Sequence, residues 1–141
     1  IMSAGKGIMH SEMATADEDV NLFQIWVFPK KVNIEPRYDQ RFFDEKERSN
    51  NWQIVVSPNE EHQALWINQD AYFSLGNFDS STSYKLNKED NGVYLMVIEG
   101  KIKIDGNVLS NRDAIGITDA KDFSINVLKP AKLLVIEIPM K

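Results

Sequence analysis

The chain has no cysteine. Disulfides, zinc–thiolate sites, iron–sulfur clusters and thiol nucleophiles are therefore excluded. Histidine is scarce, with two in 141 residues, so any imidazole chemistry rests on His10 or His62. Positive charge is in deficit: 16 Lys and Arg against 21 Asp and Glu leave a net charge of -5. That balance disfavours a nucleic-acid binder, which shows a basic patch or stripe, and attraction to an anionic membrane. No apolar run reaches the length of a transmembrane helix. A Gly-rich phosphate loop, a nucleotide motif, an internal repeat and a low-complexity tract are all missing. So is the Gly-x-Ser-x-Gly elbow that presents a serine nucleophile. The simplest compartment for such a chain is the cytoplasm. Hydrolysis by paired carboxylates stays open, because carboxylate separation is not readable from sequence.

What is present is an ordinary globular composition, 43% hydrophobic and 26% charged. A chain of 141 residues supplies one good core, or one domain with a piece of another. From Trp52 onward, short β-branched and aromatic runs alternate with turn signals, which predicts an all-β sandwich or barrel. Trp52–Val56 stops at Ser57-Pro58, Ala64–Ile67 at Asn68-Gln69-Asp70, and Ala71–Phe78 at Asp79-Ser80-Ser81. Thr82–Leu86 precedes the polar loop Asn87–Gly92. Val93–Ile98 reads as a central strand ended by Glu99-Gly100. Lys101–Ile104 then alternates, isoleucines in and lysines out, into Asp105-Gly106, a strong two-residue hairpin signal. Asn107–Leu109, Ala114–Ile117, the alternating Phe123–Val127 and the buried run Leu133–Ile138 complete the pattern.

Upstream, Leu22–Phe28 is apolar on both alternating faces and ends at Pro29, which predicts a buried strand. Gln24 is its polar exception, and lining a pocket near His10 or bonding within the core are equally open to it. Pro29–Pro36 is a connector and the expected domain boundary, dividing the chain into residues 1–28 and 29–141. Arg37–Phe43 predicts a further strand and Asp44–Arg48 one or two helical turns. The acidic run Asp17-Glu18-Asp19 reads as a solvated turn. His62 sits in a Glu60–Gln63 loop and reads as a solvated side chain.

The stretch that carries chemistry is Ser3–Glu12, with two glycines, a histidine and a carboxylate. Gly5 and Gly7 suit a tight turn with positive φ. Ile8–Glu12 then reads as a short strand, in which residues two apart share a face. His10 and Glu12 would project side by side, a nitrogen and an oxygen donor suited to a first-row divalent metal such as iron(II). By spacing alone, a surface His and Glu after a turn is the commoner use of such a pair.

Residues Ile1–Glu12 resemble the signature of the pirin family, metal-binding proteins of the cupin superfamily. The likeness continues through Leu22–Val27 and Glu35-Pro36-Arg37-Tyr38 to the C-terminus. It points to the bacterial pirins with quercetin dioxygenase activity. The resemblance implies a cupin-type β-barrel, or jelly roll, over residues 29–141, preceded in residues 1–28 by the last strands of an N-terminal metal-binding cupin. In that family three histidines and one glutamate hold a mononuclear metal, usually iron. His10 and Glu12 match the third histidine and the glutamate, and the other two ligands come from an upstream His-x-His motif. Ile1 falls inside what the resemblance makes a strand of the N-terminal cupin, so the chain is expected to be the C-terminal part of a longer protein. The resemblance also implies Glu12 as general base towards a flavonol hydroxyl, in a reaction with dioxygen that opens the heterocycle with loss of carbon monoxide. Met9 and Trp26 are candidates for the pocket wall, although core packing is the commoner use of each.

Three functions follow as expectations: part of a dioxygenase acting on a flavonol such as quercetin; a non-catalytic metal-binding pirin acting as a redox sensor or interaction module; and a bare β-barrel interaction module. Residues 1–28 are expected to pair with something outside this sequence, either the N-terminal cupin segment or a second chain.

Overall fold

A computed structural model describes residues 1–14 and 19–140. Its strands are β1 (Met2–Ser3), β2 (Arg37–Tyr38), β3 (Trp52–Ser57), β4 (Leu65–Trp66), β5 (Tyr72–Phe78), β6 (Thr82–Lys85), β7 (Asn91–Ile104), β8 (Asn107–Ser110), β9 (Ala114–Ile117) and β10 (Asp122–Pro139). The run predicted as helical turns is a single 3-10 turn, Glu45–Arg48, capped by the Asp44 carboxylate on Lys46 N at 3.0 Å.

Two long strands, β7 and β10, organise the rest. The first part of β7 pairs with β9 and its last part with β8. Likewise β10 pairs first with β6 and then with β5, and lies along β7 from Asn126 to Pro139. Each long strand thus leaves one set of neighbours and joins another. Such a switch turns a sheet around a corner, and bulges make the corner possible. In β10 the register shifts fall between Val127 and Leu133; in β7 the corresponding point is Gly100, at φ 99. The sequence suggests that Glu99-Gly100 ends a strand. The strand instead bends there and continues, because a glycine can hold that φ without breaking the ladder.

The bend also resolves a change of parity. Val93, Leu95 and Val97 point inward before it, and Ile102 and Ile104 after it. With Phe78, Tyr84, Leu109, Ile125, Ala131, Leu133 and Val135 they form the barrel core. The expected alternation of Ile102 and Ile104 against Lys101 and Lys103 is present, and Asp105-Gly106 makes the hairpin turn with φ 44 and 82. A Cβ on Gly100 would sit 2.2 Å from Pro130 O and 2.6 Å from Ala131 Cα. Gly100→Ala is therefore expected to destabilise the barrel by about 3 kcal/mol, measured as a fall in Tm of about 10 °C.

A second apolar cluster lies on the other side of the sheet: Val55, Val56, Ala71, Phe73, Leu134 and Ile136, with Ile1, Val27 and Phe43 packed against it. The β1–β2 pair joins residues on either side of the expected 28/29 boundary, through Met2 opposite Tyr38.

The N-terminal third differs from expectation. No strand forms over residues 8–12 or 22–28, and Arg37–Phe43 contributes only the two residues of β2. Leu22–Phe28 is extended chain with Trp26 88% and Phe28 92% exposed, not a buried strand. The reason is physical: a strand exists through a ladder, and the described residues place no neighbour beside either segment.

Candidate functional site

Gly5 and Gly7 take φ 57 and 132, and Gly7 N donates to Ala4 O at 2.8 Å, so the expected tight turn is present. The chain leaves it extended, and His10 Nε2 lies 3.8 Å from Glu12 Oε1. The two side chains are 37% and 47% exposed. The pair is thus brought together as the i, i+2 spacing predicts, although without a strand. Two metal bonds of about 2.1 Å at tetrahedral or octahedral angles span about 3.0–3.4 Å, so the two exposed side chains would close slightly to share one divalent ion. The donor set suits such an ion but is short: among the described residues no group of three or more His, Asp or Glu is placed to hold a metal. Further ligands would have to come from elsewhere.

The expected pocket walls are not formed. Met9 and Trp26 both face solvent, and Gln24 is exposed, neither lining a pocket nor bonded in the core. Of the acidic run, Asp17 and Glu18 lie outside the described residues.

The segment carrying the pair is fastened to the barrel further along. Gln69 Nε2 donates to Phe28 O at 2.8 Å, Lys30 N to Asn68 O at 2.7 Å, and Asn68 Nδ2 to Lys31 O at 2.7 Å. Lys30 Nζ donates to both Asp70 oxygens, at 2.9 and 2.8 Å, and Lys88 Nζ reaches Asp70 Oδ2 from the other side at 2.5 Å. Nearer the pair, the Arg112 guanidinium stacks on Phe23 at 5.1 Å. Hydrogen bonds from Lys30 and then Lys88 hold the Asp70 carboxyl below its ordinary value. A carboxyl depressed in the folded state contributes above its unfolded value and loses that contribution as pH falls through the folded one. The Lys30–Asp70 contact is therefore expected to survive acidification to about pH 4 and to open only below it. An NMR titration of the Asp70 carboxyl, read with exchange of the Lys30 amide, measures this.

Sequence reasoning missed a second polar centre. Glu137 is fully buried in β10, and every partner it has donates. Oε1 accepts from Lys88 N at 2.8 Å and Asn91 Nδ2 at 3.0 Å. Oε2 accepts from Asn87 N at 2.8 Å, Asn87 Nδ2 at 3.0 Å and the Tyr84 hydroxyl at 3.2 Å. Burial first, and then the neighbouring Glu137, push the Tyr84 phenol above its ordinary range, which keeps it a donor. Glu137 thereby pins the Asn87–Asn91 loop, and with it Lys88 beside Asp70. The available signal was a single acid inside the apolar run Leu133–Ile138. His62 was misread too: it is half-buried, with Nδ1 2.8 Å from Ser57 Oγ, rather than a solvated loop residue.

Comparison with known proteins agrees with this architecture. The quercetinase C-terminal cupin domain matches residues 54–138. The quercetin 2,3-dioxygenase of Escherichia coli K12 is 32% identical over 141 residues, covering 99% of this chain and 60% of that protein. The chain thus spans about 60% of the length of the curated relatives it matches. The crystal structure of YhhW from Escherichia coli superposes with a TM-score of 0.73 at 27% identity, over 81% of this chain and 48% of that one. A second structure, of bacterial pirin YhhW from Escherichia coli in complex with nickel(II), gives 0.70 at 26% identity, over 79% and 47%.

Proposed function

As this chain belongs to the pirin family, through a quercetinase C-terminal cupin domain, we propose that it is part of a metal-dependent dioxygenase acting on a flavonol such as quercetin. The observation that carries the reading is the His10 Nε2–Glu12 Oε1 pair, 3.8 Å apart behind the glycine turn. It supplies one nitrogen and one oxygen ligand suited to a first-row divalent metal, with iron(II) the one the resemblance implies. The name of the Escherichia coli relative supports the substrate class, and the nickel(II) in the YhhW complex supports a bound divalent metal. When bound, such a metal supplies Lewis-acid polarisation of a substrate oxygen and entry to dioxygen chemistry.

The chain's own residues do the rest. His10 would bind through Nε2, the ring nitrogen that faces Glu12. Glu12 would lower the net charge of the site and, as the resemblance implies, serve as general base towards a flavonol hydroxyl. Oxygen uptake with quercetin and added iron(II), by the chain joined to residues that would precede it, tests the proposal. Dioxygen consumed with release of carbon monoxide supports it, and no metal-dependent turnover overturns it.

The reading includes a partner for residues 1–28: the remaining half of the metal-binding cupin, either covalently attached or on a second chain. Leu22, Phe23, Ile25, Trp26 and Phe28 are exposed apolar side chains on a segment that joins no strand ladder among the described residues. Burying one such side chain stabilises by roughly 1.5–3 kcal/mol. The 141-residue chain alone is therefore expected to self-associate, with Trp26 emission moving to the blue as concentration rises. A monodisperse monomer by light scattering would count against the partner.

A further inference from the structure

We propose that the groove along the open edge of β3 binds an extended basic peptide segment by strand addition. This site is separate from the His10–Glu12 pair and does not depend on it.

Strand β3 is covered on one side only at its start. Trp52, Gln53 and Ile54 pair with Gly76, Leu75 and Ser74 of β5. On the opposite side β4 reaches only Val56 and Ser57. Among the described residues, nothing pairs with that side of Trp52–Ile54. An antiparallel neighbour takes only half of a strand's backbone groups. The other half here form a template for an added strand.

The same edge opens into a groove of about 470 Å³, lined by Phe43, Glu47, Gln53, Glu61 and His62 among others. Three features state what it would hold. First, Glu47 and Glu61 are exposed carboxylates on its walls, and no cation of the described residues is paired with either. In a chain of net charge -5, they favour lysine or arginine on the incoming segment. Second, Gln53 is only 8% exposed; its Nε2 donates to Glu47 Oε2 at 2.7 Å, while its Oε1 has no partner. Oε1 is closed to solvent as the side chain stands, so a ligand donor satisfies it once the Gln53 amide turns towards the groove. Third, His62 Nδ1 is occupied by Ser57 Oγ, which also accepts from Asn59 N at 3.0 Å. Whichever way the Ser57–His62 bond runs, Nε2 is the nitrogen left for a ligand. Open backbone, two acids and an orphaned acceptor together describe an extended chain with basic side chains, rather than a compact or acidic ligand.

The probe is a blocked hexapeptide alternating lysine and valine, titrated into the isotope-labelled full chain. Two controls accompany it: the same peptide N-methylated at alternate amides, and a glutamate–valine peptide. Amide shifts are expected at Trp52–Ile54 and at the Gln53 side chain, with neither control binding. Glu47→Gln and Glu61→Gln, both at exposed positions, are each expected to weaken the affinity about threefold, and together about tenfold. The proposal is overturned by no shift at millimolar peptide, by equal binding of the methylated control, or by an affinity unchanged in the double variant. It is equally overturned by shifts at Trp52–Ile54 that follow protein concentration without peptide, which would assign the edge to a second copy.

Discussion

Glu137→Ala is expected to bring the barrel close to unfolding. The carboxyl is fully buried and accepts hydrogen bonds from Lys88 N, Asn91 Nδ2, Asn87 N, Asn87 Nδ2 and the Tyr84 hydroxyl. Alanine removes every acceptor and leaves those donors facing a void. One buried unsatisfied group costs about 1–3 kcal/mol, and a small void admits water to only some of them. A loss of about 4–5 kcal/mol follows, against a total stability of about 5–15 kcal/mol for a domain. Glu137→Gln keeps the volume but turns one oxygen into a donor that meets donors, so a smaller loss of about 2 kcal/mol is expected. Denaturant unfolding followed by near-UV circular dichroism separates these cases. An alanine variant within about 1 kcal/mol of the parent would show that the Asn87–Asn91 loop does not depend on Glu137.

His10→Ala or Glu12→Ala should have the opposite signature in the chain joined to residues that would precede it: activity lost and fold retained. On the proposed function each removes a ligand outright, where loss of a mere supporting partner already costs 10–100-fold. A fall in metal-dependent oxygen uptake of at least about a hundredfold is therefore expected. Neither side chain belongs to either apolar cluster, so near-UV circular dichroism and Tm should be unchanged. Global unfolding of His10→Ala would instead make the pair structural.

Much of the barrel was legible because its signals are local. Ile102 and Ile104 alternate with lysines, Asp105-Gly106 sets its own turn, and Ser57-Pro58 stops β3. Each is decided within a few residues. What the sequence did not announce depends on neighbours far along the chain. Val93–Ile98 and Lys101–Ile104 are one strand, because β10 runs beside both and Gly100 bends without breaking. The same long-range dependence explains Leu22–Phe28: its composition is that of a strand, but among the described residues no ladder partner lies beside it. Glu137 was hidden because its partners, Tyr84, Asn87, Lys88 and Asn91, sit about fifty residues upstream, Asn87 by 50 positions. The His10–Glu12 pair was the reverse case. Spacing alone put His10 beside Glu12, and the structure places them 3.8 Å apart even where the expected strand is missing.

Metal analysis after chelator washing tests the central claim, that His10 and Glu12 are part of a metal site completed by residues outside this sequence. Three samples are compared: the 141-residue chain alone, the same chain joined to residues that would precede it, and the joined protein with His10→Ala. The account predicts stoichiometric metal only in the second. Stoichiometric metal in the chain alone would show that no upstream ligands are needed. Full metal in the His10→Ala protein would remove His10 from the site, and either result contradicts the account.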